Sequence, residues 1–171
     1  MADAVFWQLL ASVQTRIRAL TIVTESGDTV PAFKDAAVVI RKKPYDDDDA
    51  KHDRSEETPG VLIAPLEAIS DPMAGTNARD DTDYVISVQI IARDSSFREE
   101  NMKTFLKWQQ QIRKLFQSAP DVTVQGDEGI VNIGNALSQN PVVSKFYPVG
   151  KYFVAQITLR FIARETRGVT T

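Results

Sequence analysis

From Thr82 to Gln117 the sequence turns from a two-residue alternation into a three- and four-residue recurrence, with only a short polar link between. Tyr84, Ile86, Val88 and Ile90 alternate with Val85, Ser87 and Gln89, which sets one apolar face of a strand toward a core. Ser96 then stands three residues before Glu99, the spacing of a capping box: the hydroxyl accepts from one orphan backbone N–H and the carboxylate from another. Met102, Phe105, Trp108 or Gln109, Ile112, Leu115 and Phe116 follow as one apolar stripe of a helix. Glu99 and Lys103 form a favourable i,i+4 pair, and Lys103, Lys107, Arg113 and Lys114 cover the wet side. Ala119-Pro120 ends the helix, because proline cannot continue it. A helix launched straight from a strand must lie across the sheet that strand belongs to. Phe105→Ala is expected to cost roughly 3–5 kcal/mol.

The 171 residues fit a single domain, 1–171, on a prior of about 150 residues per domain. A chain of this length buries roughly 70% of the surface its unfolded form exposes, enough for a core without staples. There are no cysteines, which excludes disulfides and thiolate zinc sites, and no cofactor is expected. No apolar run approaches the roughly 18 residues of a membrane span, and no basic segment leads into an apolar one near Met1. Neither a span nor a signal peptide is expected. The formal charge of −3 argues against general affinity for nucleic acid. Charge is uneven, with Asp46 to Glu57 acidic and Lys145 to Arg167 basic.

Val5 to Leu20 reads as a first helix, with Phe6, Leu9 or Leu10, Val13, Ile17 and Leu20 on one face and Asp3 as cap. Trp7 falls off that stripe, at the rim of the core or in a subunit contact. Thr21 to Val30 is a turn-rich connection with a short strand at Leu20–Val23, and Ala36 to Ile40 is a β-branched strand. Pro44 to Pro59 carries Asp46, Asp47, Asp48, Asp49, Asp53, Glu56 and Glu57, the composition of a solvated, flexible insertion. Its spacing lacks the ligand alternation, glycine and final glutamate of a calcium loop, so no metal is expected. Gly60 to Leu66 is a strand broken by Pro65, which suits an edge or a bulge. Glu67 to Asp81 reads as a long polar loop. Past the central helix, Val122 and Val124 lead through Gly126 and Gly129 to Ile130, Val131 and Ile133, a hairpin signal. Pro141, Pro148 and Gly150 punctuate the next stretch, and 165–171 reads as a loose tail.

Lys151 to Arg164 is the cleanest strand. Phe153, Ala155, Ile157, Leu159, Phe161 and Ala163 share one face; Tyr152, Gln156, Thr158, Arg160 and Arg164 share the other. At about 3.3 Å per residue it reaches roughly 46 Å, against a diameter near 40 Å for a compact domain of this length. Such a strand either breaks at a bulge or projects past its own domain. A projecting strand leaves backbone groups that another chain can cover. Self-association through strand extension is therefore expected, with Tyr152, Arg160, Arg164 and Arg167 as interface residues.

Little in the sequence suggests catalysis. His52, the only histidine, lies in the acidic insertion, where no buried carboxylate can orient it for a triad. No phosphate-binding or zinc-protease motif is present. Asp80, Asp81 and Asp83 are the best candidates for a metal-dependent hydrolase, but consecutive acids before a strand more often face water. The chain is expected not to be an enzyme.

The order of elements is an N-terminal helix, a strand and a charged insertion, then PGVLIAPLEAI, a polar loop ending NARDDTDYVISVQIIARD, the helix EENMKTFLKWQQQIRKLFQ and the strand KYFVAQITLRFIARETR. This order resembles the tail-terminator proteins of tailed bacteriophages over nearly the whole chain. The Arg79-Asp80-Asp81 strand entry, the helix launched from that strand and the arginines ending the last strand carry the resemblance. It implies an α+β fold, with a mainly antiparallel sheet packed against two helices and the acidic insertion as a long loop. It implies a structural virion protein, assembled in the host cytoplasm, that forms a homohexameric ring in the tail and neck. Such a ring caps the tail tube, ends its polymerisation and joins the tail to the neck. Its partners would be copies of itself, the tube protein, a neck connector and a sheath, with no membrane. Double-stranded DNA would pass through unread, and Asp46, Asp47, Asp48 and Asp49 would line the lumen, where like charge keeps it from sticking. Two alternatives stay open: another head-tail connector, neck or tube subunit, and a carboxylate-metal hydrolase.

Overall fold

A computed structural model describes residues 4–23, 26–45, 59–76, 79–93, 99–118, 121–126, 129–135, 142–147 and 152–166. Among them run the helices α1 (Val5–Arg18) and α2 (Glu99–Ser118). The strands are β1 (Thr21–Val23), β2 (Thr29–Pro31), β3 (Val38–Ile40), β4 (Gly60–Thr76), β5 (Arg79–Arg93), β6 (Val122–Gly126), β7 (Gly129–Asn135), β8 (Val142–Tyr147) and β9 (Tyr152–Thr166). β1 and β2 form a separate antiparallel pair, the turn between them using Gly27 at φ +86°, where a side chain is disfavoured. The other strands make one sheet in the order β3-β4-β5-β9-β7-β6, with β8 also on β9. Only β3 and β4 run parallel. The chain is thus α+β, a mainly antiparallel curled sheet with two helices.

The alternation in β5 and β9 builds the core directly. Ile90 lies opposite Ala155, Val88 opposite Ile157, Ile86 opposite Leu159 and Tyr84 opposite Phe161, all on one face. Val61 and Ile63 of β4 extend these rows. Both helices cover this face: α1 buries Leu9, Leu10, Val13 and Ile17, and α2 buries Phe105, Ile112 and Phe116. Phe6 sits 4.9 Å from Tyr84, Phe105 5.9 Å from Phe153, and Phe116 meets Phe161 edge-on at 6.3 Å between ring centroids. Each such side chain contributes about 1.5–3 kcal/mol by leaving water. At the open choice in α2, Gln109 is buried and Trp108 is partly buried against Phe33, while Met102 lies at the exposed margin. The N-cap position of α1 is Ala4, without a side-chain cap; Asp3, and Ser96 before α2, lie outside the described residues.

The opposite face has a smaller cluster of its own. Tyr45, Leu62, Ile91, Tyr152 and Val154 are buried there, with Val39 against them. Tyr45 belongs to the link from β3 to β4, and parallel neighbours need such a link: the chain must return along the whole strand, taking about a dozen residues or more. The acidic segment belongs to that return. Asp46, Asp47, Asp48 and Asp49 lie outside the described residues.

Several expectations are corrected. Glu67 to Asp81 is not a loop: β4 continues to Thr76 and β5 begins at Arg79, with Ala68 opposite Tyr84 and Asp71 opposite Asp81. Polar composition did not prevent the strand, because a backbone ladder to β5 holds it. Pro65 does mark a bulge, with the register shifting between Pro65 and Glu67. It also sits past the end of β3, where a missing N–H removes no ladder bond. Val142–Tyr147 is a strand despite its flanking prolines. β9 keeps an unbroken register with β5 and reaches Thr166, so Glu165 and Thr166 are strand and not tail; 167–171 lie outside the described residues. Ala36 to Ile40 splits into a 3-10 turn, Asp35–Ala37, and the short β3.

Candidate interaction surface

The margins of the sheet decide what another molecule could pair with. β9 is used on both sides within its own chain. β5 takes all of Tyr152–Thr166, while β8 pairs with Tyr152–Ile157 and β7 with Phe161–Ala163 on the other side. Its length is therefore absorbed by three internal neighbours, which differs from the unpaired projection expected.

The two outermost strands are both closed by α1. Gln14 and Arg18 donate to the Val38 carbonyl of β3 at 2.8 and 3.0 Å. On the far margin, Gln8 donates to the Gln125 carbonyl of β6 at 2.5 Å and accepts the Gln125 N–H at 2.8 Å. Arg16 donates to the Asp121 carbonyl just before β6. The sheet curls far enough for one helix to hold both of its ends.

β4 beyond Ala64 is different. β3 pairs only with Val61–Ile63, so from there to Thr76 the outer side of β4 has no strand neighbour among the described residues. On the helix-free face beside it, Ile69, Asp83 and Ile162 form one row across β4, β5 and β9. Ile69 is 50% and Ile162 42% exposed, and Leu66 in the bulge is 42% exposed. Asp83 is held by the diagonal neighbour Arg160, which donates through Nε at 3.0 Å and through Nη2 to the same oxygen. Exposed apolar side chains beside a partly exposed arginine suit a protein contact, whose buried centre is more apolar than the rest of the surface and in which arginine is enriched.

The expected interface residues fare unequally. Arg160 reaches this surface, but already serves its own chain through Asp83. Tyr152 is 1% exposed and packs edge-on against Tyr45 at 6.1 Å, so in the isolated chain it has no surface to offer. Arg164 faces Asp81 by register, and Arg167 lies outside the described residues. Asp83, one of the three hydrolase candidates, is bound to Arg160 rather than grouped with other acids. Among the described residues no three His, Asp or Glu side chains gather closely enough to hold a metal. His52 lies outside them.

Gln89 did not stand out in the sequence. It is 3% exposed, accepts the Tyr45 N–H, and donates to the Tyr45 carbonyl at 3.3 Å and to Gln156 at 3.2 Å. It pins the start of the return link to the sheet. Its place in the alternation marked it as outward-facing, and only the seating of Tyr45 makes that face an interior. Gln8 and Arg16 had no sequence signal either, since their partners lie more than a hundred residues away.

No described helix is long and apolar enough to cross a membrane. Compared with known proteins, the chain matches no protein-family model and no curated sequence.

Proposed function

We propose that this chain is a structural virion protein that caps the tail tube of a tailed bacteriophage as a homohexameric ring. In this role it ends tube polymerisation, joins the tail to the neck and performs no catalysis. The observation that carries the reading is the outer side of β4. Among the described residues it is a strand margin without an internal neighbour, flanked by exposed Leu66, Ile69 and Ile162, in a chain whose two outermost strands both bond to α1. An edge of this kind is a ready template for pairing with another chain. A repeated head-to-tail contact closes into a ring if its rotation allows. Contacts to tube, connector and sheath, and passage of DNA past the acidic segment, follow from the resemblance alone.

Native mass spectrometry with electron microscopy of the purified protein tests the proposal. The expected result is one closed ring of six copies that does not stack. Open tubes would make it a tube subunit instead, and a monomer at every concentration would remove the reading.

A further inference from the structure

Outward backbone groups at Gln125, and the carbonyl of Asp121 just before β6, meet a helix instead of a strand. Gln8 gives its carboxamide N–H to the Gln125 carbonyl and takes the Gln125 N–H in return. This is the two-bond exchange by which residues of antiparallel strands pair. Arg16 donates to the Asp121 carbonyl, four residues earlier along the chain. The spacings agree. Eight residues of α1 span roughly 12 Å at 1.5 Å each, and four residues of extended chain roughly 13 Å at 3.3 Å each. Gln125 and Asp121 are also an even number of residues apart, so their polar groups point the same way. α1 therefore runs antiparallel to β6 and stands where the next strand would be. Gln8 and Arg16 lie beside, not within, the buried stripe of Leu9, Val13 and Ile17, so packing of the core does not require them.

We infer that α1 is an edge guard: Gln8, with Arg16, occupies the groups through which β6 would otherwise accept a strand from a second copy of this chain. The chain itself supplies the matching strand. Among the described residues the outer side of β4 at Glu67–Asp71 has no strand neighbour, and it belongs to the opposite side of the same sheet. One open and one closable margin on a single sheet can join head to tail, and without a guard copies would add through β6 into larger rings or open chains, as the rotation of the contact dictates. The bonds of Gln8 and Arg16 to β6 are made within one chain, and so do not depend on the ring proposed above.

Sedimentation velocity of Gln8→Ala over a wide concentration range tests it. Alanine is the best helix former, so α1 is expected to persist, with an unchanged far-UV circular dichroism spectrum. The expected result is a shift to larger, polydisperse species than wild type shows at the same concentration. The pair Gln8→Ala/Gln125→Pro should return to the wild-type profile, because proline removes the outward N–H without touching a bond to β7. A Gln8→Ala profile identical to wild type overturns the inference. So does association that survives Gln125→Pro. If Gln8→Ala loses its fold, Gln8→Glu decides: it keeps the acceptor for the Gln125 N–H, loses the donor and should also associate, and wild-type sedimentation would overturn the inference.

Discussion

Follow β5 and β9 from one end to the other and the same two strands are held in two different ways. From Val85 to Ile91, paired with Val154 to Arg160, nearly every side chain of β5 is buried on whichever face it points to. Helices cover one side and the Tyr45 cluster part of the other. From Arg79 to Asp83, paired with Ile162 to Thr166, Ala163 still joins the main core while Ile162 is open to solvent. Burial specifies the first half. The second half persists because β5 lies between β4 and β9 and pairs there with β9 throughout and with β4 at every position but Asp80. A strand can thus be dictated by its own side chains or imposed by its neighbours, and the imposed part is left with side chains that can meet something else.

Substitutions separate the two regimes. The largest effect is expected for Phe161→Ala, where a fully buried ring meets Phe116, at about 3–5 kcal/mol in urea denaturation. Gln89→Leu should come next, about 1–3 kcal/mol by the same measurement, because the Tyr45 N–H and carbonyl lose their buried partner. Hydrogen exchange at the Tyr45 amide should quicken along with it. Arg160→Ala removes a cross-strand pair that is partly solvated, so it should cost about 0.2–1 kcal/mol. Ile69→Thr, half exposed on the outer strand, should stay within about 0.5 kcal/mol of wild type in the monomer's stability. It should nonetheless weaken self-association in native mass spectrometry. A stability loss at Ile69 as large as at Phe161 would erase the distinction between the halves. An Ile69 variant with full stability and reduced assembly would sharpen it.

Periodicity made the packed half legible from sequence. Tyr84, Ile86, Val88 and Ile90, and Phe153 through Ala163, face the core as their alternation required, because a period of two leaves one register that buries them all. The same holds for α1 and for Phe105, Ile112 and Phe116 of α2. Composition misled where backbone pairing outweighed it: Glu67 to Asp71 has the polarity of a loop and pairs with β5 as a strand, and Thr76 pairs again beyond an irregularity. Val142–Tyr147 was hidden by the prolines and glycine around it.

By itself the sequence determined which residues turn inward along each periodic element, since side-chain direction follows from local geometry and apolar area seeks burial. Only the tertiary structure decided that both faces of β5 were covered and that β3 and β4 run parallel. It also decided that Gln8 and Gln14, six residues apart on one helix, close opposite margins of the sheet. Those outcomes depend on groups brought together from distant parts of the chain, and no local pattern encodes which margin a curled sheet will present to a given helix.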